Sequence, residues 1–141
     1  MSAMSTNAAT IEAKRSGVYR TPAHADALRK AAGNALTWFD VPLQSVSNKK
    51  QFLTVCAKQL KLPSHFGDNW DALADCVRDL SWAPGGAGYV LRVSGSEKFA
   101  KAAPEDYQTA LAVLREAAVF WKDQGTPFVV FVDAAKDLPT F

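Results

Sequence analysis

The sequence predicts a small α/β domain, with about three parallel strands packed against helices and an N-terminal extension ahead of them. Three observations carry that expectation. Two near-continuous apolar runs, YVLRVSG (89–95) and PFVVFVD (127–133), read as strands covered on both faces. Between them, PEDYQTALAVLREAAVFWKDQG has helical periodicity, and strands separated by helical crossovers run parallel. The length of 141 residues suits one domain around one hydrophobic core.

The elements follow in chain order. Residues 1–16 bury little and read as a disordered lead. Residues 17–35 form the extension, with GVYR as a short strand and HADALRKAAGNA as a short helix that ends near Gly33. ALTWFDVPL (35–43), rich in aromatic and aliphatic residues, reads as a strand that Pro42 brings to an end. NKKQFLTVCAKQLKL follows as a helix. Phe52, Val55, Cys56, Gln59 and Leu60 fall at three-and-four spacing on its apolar side, and Pro63 ends it. In the long helix, Pro104 suits the first position and Glu105 and Asp106 suit the positive end of the dipole. Tyr107, Ala110, Leu111, Leu114, Ala118 and Trp121 make its buried stripe, and Gly125 stops it. Residues 36–133 are expected to form the domain proper, and 134–141 a C-terminal tail.

Composition excludes several classes. At 48% hydrophobic and 21% charged, the chain reads as an ordinary globular protein. No apolar run is long enough to cross a bilayer, and the polar N-terminus has no signal-peptide core, so a cytoplasmic location with no membrane partner is expected. Cys56 and Cys76 read as buried free thiols. Two cysteines and two histidines, His24 and His65, stand at no ligand spacing, so no metal site and no cofactor are expected. The net charge of +2 is uneven. Residues 1–50 carry seven basic and three acidic side chains, whereas 51–141 carry nine basic and eleven acidic. Without a dense Lys/Arg patch, that excess is weak support for nucleic-acid binding, and no direct nucleic-acid partner is expected.

The informative stretch is HFGDNWDALADCVRDL (65–80). Read as a helix at about 100° per residue, it places Asp68, Asp71, Asp75 and Asp79 within an arc of roughly 80°. Trp70, Leu73, Cys76, Val77 and Leu80 fall on the other side, toward the core. A plain solvated face usually mixes signs, because like charges four apart repel. Here the 71/75 and 75/79 pairs are both acidic, and Asp79 lies near the negative end of the helix dipole. Arg78 relieves only the edge of the stripe. A single helical face cannot encircle a cation, and Ca²⁺ sites use wrapping loops. General acid/base chemistry needs a pocket and supporting groups, and only His65 is near in sequence. A row of carboxylates that enters a partner's cleft of Arg, Lys and His, in the place of phosphates, needs nothing more.

At this stretch the chain resembles a known family. LPSHFGDNWDALADCVRDL, with a helix before it and a strand, a VLREA helix and a PFVVFVD strand after it, is similar to barstar and its relatives. Its most specific part is the pattern L-P-x-x-[FY]-G-x-N-x-D-A-L-x-D-C at Leu62–Cys76. The resemblance runs from about Leu36 to Asp133 and implies a small barstar-like fold that inhibits barnase-type ribonucleases inside the producing cell. It implies partner-binding roles residue by residue. Asp75 matches the central acidic residue that takes a phosphate position, and Asp71 the earlier contact aspartate. Gly67, Asn69 and Trp70 match the loop and helix start that touch the nuclease, and Glu116 the acidic residue of the later helix. The pattern also departs from the family's founding member. His65 replaces a phenol, Ala74 replaces a tryptophan, and Arg78 adds a positive charge at the rim of the face.

The function expected is a monomeric intracellular immunity protein, not an enzyme, that blocks a basic ribonuclease or related toxin with an acidic helix. The alternative is a non-inhibitory protein–protein interaction module of the same fold. An RNA-binding role for Lys14, Arg15, Arg20, Arg29 and Lys30 ranks below both, and an enzyme built on His65 and the aspartates ranks last, since no phosphate-loop motif accompanies them.

Overall fold

The computed structural model describes residues 11–63, 67, 69–83, 87–133 and 135–141. Among the described residues, four strands form one parallel sheet: β1 (Gly17–Arg20), β2 (Thr37–Pro42), β3 (Tyr89–Ser94) and β4 (Phe128–Val132), in the spatial order β1-β4-β3-β2. The helices are α1 (Ala25–Ala32), α2 (Lys49–Gln59), α3 (Trp70–Val77), α4 (Glu97–Ala102) and α5 (Pro104–Asp123). All five residues of β4 are buried, as expected for a central strand covered on both faces. Leu91 of β3 stands beside Val130 of β4, and Val90 beside Val129, so the two strands present matched apolar rows to each face.

The two faces have different covers. Phe39, Val41, Leu91, Val93, Phe128, Val130 and Val132 point toward α2–α5 and join Phe52, Leu53, Leu73, Val77, Phe99, Leu111 and Leu114 in the main core. Val90, Val129 and Phe131 point the other way, where Leu28 of α1 and Ile11 close over them.

Four strands stand where about three were expected, because GVYR joins the sheet: Gly17 to Arg20 pair in register with Val129 to Val132. The lead expected through Ser16 is also ordered from Ile11 onward. Ile11 is buried, Ala13–Arg15 forms a 3₁₀ turn, and the Ser16 hydroxyl accepts the Phe128 N–H at 3.0 Å. The tail folds back as well. Thr140 bridges to Arg20 at the outer edge of β1, and the Phe141 ring packs edge-on against Tyr19 and Phe131, under the Arg15 guanidinium.

Helix α4 falls between the YVLRVSG strand and the long helix, in a stretch for which the sequence predicts no element. It is placed from far along the chain. The Asp133 carboxylate accepts the N–H groups of Gly95 (2.7 Å) and Ser96 (3.1 Å) and the Ser96 hydroxyl (2.8 Å), and Phe99 is fully buried. Gly95 takes φ 64°, a left-handed turn that glycine makes without cost. Among the described residues, no helix is long and apolar enough to cross a membrane.

Candidate functional site

Helix α3 begins at a side-chain cap. The Asn69 carboxamide oxygen accepts the Ala72 N–H at 2.7 Å, and its Nδ2 donates to the Gly67 carbonyl at 3.2 Å, fixing the entry of the chain. Trp70 lies half-buried, its ring 5.8 Å from that of Phe52 and 5.7 Å from the Lys49 ammonium. Leu73 and Val77 are fully buried and hold the inner side of the helix on the core.

The outer end is pinned by tertiary contacts. Trp121 of α5 donates its indole N–H to the Val77 carbonyl at 2.8 Å, satisfying one of the free carbonyls that a helix end leaves. Leu80 adopts φ 50° and is fully buried, so the chain turns sharply under the helix end. A non-glycine residue in that conformation costs on the order of 1 kcal/mol, which the burial of Leu80 offsets. Trp82 then donates to the Leu60 carbonyl at 3.0 Å, tying the following turn to the end of α2.

That turn corrects one expectation. The helix was read through Leu80, but it ends at Val77 with Arg78 as its cap, and Asp79 lies in the turn beyond it. Two of the four aspartates, Asp71 and Asp75, are therefore presented by α3 itself. Both are exposed. The inner side is also corrected in part: Cys56 is buried, whereas Cys76 is only half-buried.

Arg78 sits against the row. Its Nη2 lies 2.9 Å from Asp75 Oδ1 and its Nε donates to the Ala74 carbonyl at 3.1 Å, while the Asp75 side chain stays 77% exposed. An exposed pair of this kind contributes about 0.2–1 kcal/mol. Glu116 is exposed on the outer side of α5, which packs beside α3. Gly67, Asn69, Trp70, Asp71, Asp75 and Arg78 thus belong to one segment, and Glu116 to its neighbouring helix. His65 and Asp68 lie outside the described residues. No group of three metal-ligating side chains occurs among the described residues.

The field of the row reaches two neighbours. Burial, followed by the charges of Asp75 and Asp79, raises the Cys76 thiol above its ordinary pKa; burial and then Asp79 raise the Tyr89 phenol. Burial alone pushes the Cys56 thiol up to about 12. Removing two negative charges favours a thiolate, so Asp75→Asn/Asp79→Asn is expected to speed native alkylation of Cys76 by iodoacetamide at mildly alkaline pH. Cys56 should stay unreactive in both proteins until they unfold. Equal Cys76 rates, followed by peptide mass spectrometry, would show that the row exerts no field there.

Sequence reasoning did not anticipate the indole anchors. Trp121 was placed in a buried stripe, and only a three-dimensional neighbour could show its N–H meeting Val77.

Fold and face together define a small parallel α/β domain that presents a short acidic helix, pinned at its far end by a tryptophan. The barstar family model, described as Barstar (barnase inhibitor), matches residues 36–133. The chain belongs to the barstar family. A comparison with curated proteins returns no match.

Proposed function

We propose that the chain is an inhibitor of a basic ribonuclease or related toxin, and that it plugs the active site of that protein with Asp71 and Asp75. The observation that carries the reading is the rigid presentation of two exposed carboxylates one helical turn apart, inside the segment that matches the family. Aspartate has few rotamers to freeze on binding, and α3 is already held by Asn69, Trp121 and its buried inner side, so docking orders little that was loose. Carboxylates so placed can accept charge-assisted hydrogen bonds from the Arg, Lys and His groups that otherwise hold RNA phosphates. No bond-making is assigned to the chain.

The test is a titration of the purified chain into RNA cleavage by a purified barnase-type ribonuclease. Cleavage should stop at equimolar chain; undiminished cleavage in excess chain would contradict the reading. One observation favours the second reading, a non-inhibitory interaction module: Arg78 neutralises part of Asp75. The inhibitory reading makes Arg78 a competitor for that carboxylate, so Arg78→Ala should tighten inhibition by up to about fivefold. Weaker inhibition would instead mean that Arg78 meets an acidic group of the partner.

A further inference from the structure

Two large apolar side chains are exposed among the described residues, Val119 (59%) and Phe120 (37%), and both lie on α5. They leave the helix on different sides. At about 100° per residue, Phe120 stands roughly 40° from Glu116 and about 100° from Trp121, while Val119 stands about 60° from Glu116 on the other flank and about 160° from Trp121. Trp121 reaches α3 through its bond to the Val77 carbonyl, so the Phe120 flank is the one beside the acidic helix. The Phe120 ring is held there. It packs edge-to-face on Trp121 with centroids 5.3 Å apart at 84°, and Trp121 in turn packs on Tyr89 at 5.2 Å.

We propose that Phe120 is a specificity-determining anchor: the basic protein that receives Asp71 and Asp75 also covers Phe120 with an apolar patch beside its cationic cleft. This rests on the inhibitory reading above and extends it. Phe120 connects to the acidic helix through Trp121, on which it packs and which bonds to the Val77 carbonyl of α3. Charge balance points the same way. The whole chain carries +2, and Arg78 cancels part of the row, so long-range attraction to a basic partner is weak and short-range burial must supply more of the affinity. A pre-ordered aromatic side chain next to buried charge contacts is the usual form of such an anchor.

The test measures inhibition of a purified barnase-type ribonuclease by the full chain and by Phe120→Ala, Val119→Ala and Asp75→Ala, with thermal melts of each. Phe120→Ala should weaken inhibition by about tenfold or more, while its melting temperature stays near that of the wild type and the salt dependence of inhibition is unchanged. Val119→Ala, on the far flank, should change inhibition by less than about twofold. If Phe120→Ala matches the wild type while Asp75→Ala still releases the nuclease, the anchor is refuted and the inhibitory reading stands. If Asp75→Ala has no effect either, or the wild type does not inhibit, both fail together.

Discussion

Asp75→Ala is expected to weaken the complex with a basic ribonuclease by about 2 kcal/mol or more, roughly a thirtyfold loss at least. Asp75 lies mid-helix on α3, between Asp71 and the rim residue Arg78, and its side chain projects almost free of the protein. On the proposed reading, truncating it would remove one half of a charge contact that docking desolvates, and would leave the partner's cations buried without a counter-charge. The magnitude is carried over from close charge pairs in protein complexes, for which barnase and barstar are themselves the reference case. Stability should barely change, because Asp75 is exposed and its hydrogen-bond partner, Arg78, is a surface side chain. Calorimetric titration and a thermal melt separate the two effects. Unchanged binding by a folded variant would make the row a solvated face.

The second large effect concerns stability. A chain that begins at Leu36, and so keeps the whole segment matched to the family, is expected not to fold cooperatively at room temperature. Removing residues 1–35 deletes the buried side chains of Ile11, Val18, Ala25 and Leu28 and uncovers Val90, Val129 and Phe131, none of which has measurable exposure in the full chain. Each side chain of the Val, Leu, Ile or Phe class contributes about 1.5–3 kcal/mol when buried. Six such losses reach or exceed the roughly 5–15 kcal/mol by which small domains are stable. The truncation also strips β4 of one of its two parallel neighbours, β1, leaving a hydrophobic strand edge open to aggregation. Circular dichroism melts and urea titrations check this. A truncated chain that melts near the full-length temperature would mean that the extension is dispensable.

The strands and the long helix were legible because their patterns are local. Apolar runs at β3 and β4 and the three-and-four spacing of α5 announce a covered sheet and a packed helix without knowledge of neighbours. GVYR was legible as a strand but not as a member of the sheet, since its partners lie more than a hundred residues away. The same holds for α4, whose six residues depend on the Asp133 carboxylate and on burial of Phe99. The end of α3 was misplaced for a related reason. Nothing local forbids a helical Leu80; it takes a left-handed conformation because the core holds its side chain. Within the site, the spacing of Asp71 and Asp75 and the reach of Arg78 at i+3 could be read directly. The exposure of Phe120 and the indole anchor of Trp121 could not, because both depend on how α5 sits against α3.

The most direct measurement is an affinity capture from the source cells, with the wild-type chain and an Asp71→Ala/Asp75→Ala variant as parallel baits. Proteins retained by each bait are identified and then assayed for RNA cleavage. The expected result is a basic ribonuclease or related toxin held by the wild type and absent from the variant. If both baits retain the same proteins, the acidic row is a solvated face and the account of α3 as an active-site plug is contradicted.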